Sequence, residues 1–131
     1  HLNNIYISLL FIALLLAAIG MTTDPFGAVI LVAASIAPVA YANGINPIHF
    51  WMICLVAFEL GYVTPPVALN HLLTRLSVGA EEVMAAAAEA KSMYTKFYYR
   101  YERWLLPIMV LFPSLMIVTF APPIFKMFGW Y

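Results

Sequence analysis

Four stretches, positions 1–23, 25–58, 60–74 and 104–125, contain no Asp, Glu, Lys or Arg. Uncharged, apolar runs of this length have no stable place in water, and a chain that is 65% hydrophobic and only 9% charged lies far from the roughly 25% charge of soluble domains. The sequence therefore predicts a membrane protein. Only Asp24 and Glu59 interrupt the first 74 residues.

Six basic and six acidic residues give zero formal net charge, which leaves no clustered cationic surface for nucleic acid. Cys54 is the only cysteine, so no intrachain disulfide or cysteine-based zinc site can form, and a small apolar filler is expected there. The chain opens on His1 with no basic segment followed by a small-residue cleavage site. Residues 5–19 are therefore not read as a signal peptide, and the chain is expected to be a fragment of a longer protein.

Residues 5–19, IYISLLFIALLLAAI, would rise only about 22 Å as a helix, against a hydrocarbon core of about 30 Å. GMTTDP, residues 20–25, then supplies a helix-ending Gly, two hydroxyls, an Asp suited to capping and a Pro for the first helical position. A second short helix is expected from Phe26 to about Tyr41, with Pro38 near its end. Two short apolar helices around a tight turn predict a re-entrant hairpin over 5–41, the alternative being two tilted spans joined at the surface. Non-helical backbone at membrane depth persists only against protein or a wet cavity, which makes the hairpin tip a candidate functional element.

NGINP, residues 43–47, is rich in turn formers and separates the hairpin from a third apolar segment over 48–75. That segment contains GYVTPPVALN, residues 61–70. Pro65 and Pro66 each lack an amide hydrogen, so carbonyls of the preceding turn lose their helical donors and the helix is expected to open between about Gly61 and Val67. Freed carbonyls suit a hard cation such as Na⁺, and the restarted half-helix suits an anionic group. Thr64 adds a hydroxyl at the break, as Thr22 and Thr23 do at the hairpin turn. A purely structural kink is the competing reading.

Asp24 is read either as a helix cap or as a functional carboxylate within the membrane. The role of Glu59 is left open between proton carrier, counter-charge and cavity-facing residue. His49 and His71 have no carboxylate or thiolate at ligand spacing, so no metal centre is expected from them. No nucleophile–base set and no phosphate-binding Gly loop occurs, and no enzyme is predicted.

Residues 77–103 are Ala-rich and mixed in charge and predict a cytoplasmic amphipathic connector. Ser77 is expected to cap its helix, with Glu81 and Glu82 near the start and Lys91 and Lys96 later, and the tyrosines and Trp104 are expected to sit at the interface. Residues 104–131 predict a final transmembrane helix from Leu105 to about Phe125, with Pro107 and Pro113 inside. Arg75, Lys91, Lys96, Arg100 and Arg103 all precede that helix, and the positive-inside rule puts their loop in the cytoplasm.

The ordered motifs GMTTDPFGAVILVAASIAPVA, GINPIHF and ELGYVTPPVALN resemble the second half of the large membrane subunit of tripartite ATP-independent periplasmic (TRAP) transporters. The likeness covers roughly residues 15–73; Asn46 stands at the usual Asp, Phe58 at a common Asn and Ala68 at a usual Gly. It implies an all-α membrane protein forming half of an inverted-repeat, elevator-type transporter. Residues 1–76 would be the transport-domain repeat. The implied Na⁺ ligands are Gly20, Met21, Thr22 and Thr23 with Gly61, Val63, Thr64 and Pro66. The implied substrate contacts are Thr23, Asp24, Thr64, Pro65 and Asn70.

The resemblance further implies Na⁺-coupled uptake of an organic acid across the bacterial inner membrane, with no cofactor beyond the coupling ion. The solute would be delivered by a periplasmic binding protein. A small Q-type membrane subunit and the remaining N-terminal part of the large subunit would be partners. A proton-coupled carrier working through Glu59 and a non-transporting structural subunit are the alternatives.

Overall fold

The computed structural model describes residues 5–65, 69–93 and 101–129. These form six α-helices: α1 (Ile5–Thr22), α2 (Pro25–Ala42), α3 (Pro47–Val63), α4 (Leu69–Val78), α5 (Ala80–Met93) and α6 (Glu102–Met127). No strand occurs among the described residues. Three helices, α1, α2 and residues Trp104–Lys126 of α6, are long and apolar enough to cross a membrane; α3 is apolar but shorter.

α1 outruns its expected end at residue 19. Gly20 does not stop the helix but continues it, buried, and the chain turns only at Thr23 and Asp24. At 18 residues α1 extends about 27 Å, so shortness is no longer an argument against a full span. The expected cap does form: the Asp24 carboxylate accepts the Gly27 N–H at 2.9 Å, with Pro25 in the first helical turn.

The next turn follows the same logic. Gly44, at φ +82°, takes the left-handed conformation that an L side chain resists. The Asn46 side chain then accepts from Ile48 N–H at 2.8 Å, and Pro47 starts α3.

The core is a seam between α1 and α3. Leu9, Ala13, Leu16, Ala17 and Gly20 are buried on α1, and Phe50, Ile53, Cys54, Ala57, Phe58, Leu60 and Gly61 on α3. Both sets recur at helical spacing, so each helix turns one stripe to the other. Cys54 is a buried free thiol within that stripe. Alanines and glycines allow the close approach that drives association where lipid tails remove the hydrophobic force.

α1 and α3 run parallel. Gly20 abuts Phe58 and Gly61 at one end, and Ile5 and Leu9 share a cavity with Ile48 and His49 at the other. α6 returns antiparallel, its late residue Phe120 stacked near Tyr6 at 6.4 Å and its Leu115 and Thr119 fully buried. α2 turns Phe26, 83% exposed, outward with Ile30 and Val39. A cavity of about 470 Å³ separates the bases of α1 and α2, lined by Phe11, Leu15, Ser35 and Val39, so the hairpin is closed at its tip and splayed at its base.

The second half departs from expectation at one point. Ser77 lies inside α4 and caps nothing; Gly79, at φ +102°, ends α4 and admits α5. Only glycine adopts that conformation freely, which outranks a serine two positions earlier. Glu81 and Glu82 lie in the first turn of α5, as expected. Residues 94–100, including Tyr94, Lys96 and Arg100, lie outside the described residues, as do Trp130 and Tyr131.

Candidate site at the hairpin tip and the helix break

α3 ends where its sequence can no longer supply donors. Pro65 cannot donate to the Gly61 carbonyl, which instead accepts Thr64 N–H at 3.2 Å, tightening the last turn. Pro66 carries no amide hydrogen either, although Pro66, Val67 and Ala68 lie outside the described residues. The break begins after Val63, later than expected, because Gly61, Tyr62 and Val63 remain helical.

The hairpin turn and the break meet. A β-carbon placed on Gly61 would come within 2.7 Å of the Met21 nitrogen and 2.8 Å of the Gly20 Cα, and one on Gly20 would come within 3.0 Å of the Phe58 Cα. This is backbone-to-backbone contact that only a pair of glycines permits. It joins the C-terminal ends of two parallel helices, whose last carbonyls have no intrahelical donor. Each end carries roughly half a negative charge, so their juxtaposition makes a locus of acceptors.

Three threonines enrich it. Thr23 Oγ1 donates to the Ile19 carbonyl at 2.5 Å, and Thr22 Oγ1 donates to Ala18 and Ile19 at 3.1 and 3.2 Å. The fully buried Thr64 donates to Leu60 at 2.5 Å. With its hydrogen committed one turn back, each oxygen can only accept from what approaches.

The predicted residues divide accordingly. Gly20 and Met21 are brought against Gly61, and Val63, Thr64 and Pro65 follow directly at the end of α3. Thr22 and Asp24 are exposed, and the hydrogen bonds they make stay within the hairpin. Asn70 lies across the break on α4, donating its Nδ2–H to Glu59 Oε1 at 3.3 Å.

One contact and one residue at this site escaped the sequence reading. Glu59 and Asn70 form a tie that flanks the break on both sides; Glu59 stands six positions before Pro65 and Asn70 four after Pro66, and that flanking pair was the available signal. Tyr62 has a buried hydroxyl with no hydrogen-bond partner among the described residues, within electrostatic reach of the Asp24 and Glu59 carboxylates. Its ring stacks obliquely on Phe58 at 6.0 Å. His49 and His71 are not brought together, and no group of three or more His, Cys, Asp or Glu among the described residues could hold a metal ion.

Paired irregular elements inside an apolar helical bundle, lined by carbonyls and hydroxyls, are an arrangement that membrane transport proteins share. The comparisons with known proteins are more specific. Residues 1–124 match the family described as tripartite ATP-independent periplasmic transporter, DctM component, and the chain belongs to that family.

Among its relatives is a C4-dicarboxylate TRAP transporter large permease protein of Pseudomonas aeruginosa, 31% identical over 116 residues, covering 88% of this chain and 24% of that protein. The corresponding protein of Vibrio cholerae is 39% identical over 66 residues, covering 50% of this chain and 15% of that protein. An isethionate TRAP transporter permease protein of Oleidesulfovibrio alaskensis is 28% identical over 120 residues, covering 92% and 16%. The chain thus spans between 15% and 24% of the length of these relatives. No solved structure matches.

Proposed function

We propose that this chain is the C-terminal repeat portion of a TRAP large permease, and that the permease carries out Na⁺-coupled uptake of an organic acid across the bacterial inner membrane. The observation that carries the reading is the Gly20–Gly61 contact, which sets two helix C-termini side by side among three hydroxyl oxygens. A small, hard, monovalent cation is what such an acceptor set suits. Gly20, Met21, Thr22, Thr23, Gly61, Val63, Thr64 and Pro66 are its proposed ligands.

The carboxylate of the substrate is assigned to the neighbourhood of Thr23, Asp24, Thr64, Pro65 and Asn70. Because α1 and α2 turn at the level where α3 breaks, the hairpin is read as re-entrant, its tip at mid-membrane, in a unit that moves as an elevator. A periplasmic binding protein delivers the solute, and a small Q-type subunit and the rest of the large permease complete the assembly. Relatives bearing the C4-dicarboxylate and isethionate names support an acidic solute.

The test is solute accumulation by the complete permease, with its partner subunits and binding protein, in liposomes. Accumulation that follows an imposed Na⁺ gradient is expected. Accumulation indifferent to Na⁺ and driven by a pH gradient would transfer the coupling role to Glu59.

A further inference from the structure

The imidazole Nε2 of His49, in the first turn of α3, lies 3.0 Å from the backbone carbonyl of Val118 on α6, 69 residues away in sequence. That carbonyl is special for a reason written in the sequence. Four residues later stands Pro122, whose nitrogen has no hydrogen, so the helical donor that every ordinary interior carbonyl receives is missing at Val118. The carbonyl can only accept, which fixes the ring hydrogen on Nε2.

The contact is half-buried: one side is packed, and on the other His49 and Pro122 border the cavity they share with Ile5 and Leu9. Leu115 and Thr119, on the same face of α6 as Val118, are fully buried, and the Thr119 hydroxyl is occupied by the Leu115 carbonyl at 2.6 Å. His49 is followed by buried Phe50, which packs edge-on against Tyr41 at 5.7 Å and Trp51 at 5.4 Å. A carbonyl left unpaired between two packed helices is destabilising.

We propose that His49 and Pro122 form a latch: the proline frees one carbonyl of α6 and the histidine of α3 fills it, binding the two helices into one rigid body. His49 is thus a positioning residue, and α6 travels with the helix whose far end carries the Gly20–Gly61 junction. The consequence for transport rests on the function proposed above; the latch does not.

Spin labels at the exposed positions Leu55 of α3 and Ile117 of α6, 70% and 66% exposed, would be placed in the full-length permease complex in liposomes, with Cys54→Ala as background. One narrow distance is expected, identical with and without Na⁺ and solute. His49→Ala should broaden it, and His49→Gln, which keeps an N–H donor, should restore it. A distance that shifts on loading in the parent protein, or stays narrow in His49→Ala, would overturn the latch.

Pro122→Ala supplies the missing helical donor and separates a latch from generic packing. His49→Ala should shift the unfolding equilibrium roughly tenfold in the parent and far less in the Pro122→Ala background. Strict additivity of the two substitutions would also overturn the proposal. Loss of Na⁺ dependence with the narrow distance intact would count against the transport reading alone.

Discussion

Gly61 lies so close against Gly20 that a β-carbon on it would stand 2.5 Å from the Gly20 carbonyl carbon. The obstructing atoms are backbone, which no rotamer change can move aside.

Gly61→Ala should therefore push α1 and α3 apart at the junction. We expect a loss of about 1–3 kcal/mol from overpacking, together with loss of cation-dependent uptake. Gly20→Ala, whose new methyl would meet Phe58 at 3.0 Å or more, should be milder on both counts. Melting temperature and initial uptake rate of the two variants check the order.

Thr64→Val keeps shape and removes an oxygen. The Leu60 carbonyl loses one partner, which should lower stability by about 1 kcal/mol, and the Na⁺ concentration for half-maximal uptake should rise roughly tenfold. Thr119→Val is the control, since Thr119 is equally buried and donates in the same way, to Leu115 at 2.6 Å on α6. It should lose similar stability with no change in the Na⁺ requirement.

Asp24 accepts the Gly27 N–H, and a β-carbon on Gly27 would meet Asp24 Oδ2 at 2.6 Å. Asp24→Ala should cost about 1 kcal/mol through the lost cap, while Asp24→Asn should retain most of it. Uptake that survives in Asn but fails in Ala assigns Asp24 to capping; uptake abolished in both assigns it a role through its charge.

Glu59→Gln preserves an oxygen for the Asn70 amide and removes the ionisable group. On the Na⁺-coupled reading, uptake and its pH profile should persist within about threefold, and Glu59→Ala should perform worse because the tie across the break is cut. Flattening of the pH profile in Gln alone would favour proton carriage.

Legibility in the sequence followed local chemistry. The caps at Asp24 and Asn46, the turn at Gly44 and the end of α3 before Pro65 are all dictated by residues within one helical turn, and each could be read directly. Gly20 was misjudged because glycine serves equally as a helix stop and as a close-packing residue. Which role it plays depends on Phe58 and Gly61, some forty positions away. The Ser77 reading failed for a related reason: a serine favours a cap, but Gly79 determines where the backbone can reverse.

The site was legible as two halves and not as a whole. GMTTDP and GYVTPP share hydroxyls and helix-ending residues, yet nothing local states that they meet. That follows from α1 and α3 being parallel, which requires α2 as the return stroke and a seam of small residues to register the two helices. The Glu59–Asn70 tie and the His49–Val118 contact are similarly non-local; the second could be anticipated only by asking which carbonyl each proline strips of its donor.

The threonines at the junction have one further implication. Thr22, Thr23 and Thr64 all direct their hydrogens to carbonyls one turn back, so none of the three hydroxyls is left to donate to a visitor. A carboxylate reaching them first finds no hydroxyl donor; after a cation has entered, the same place becomes attractive. Loading on the proposed reading is therefore sequential, ion before anion, and the order is written into the direction of three O–H bonds.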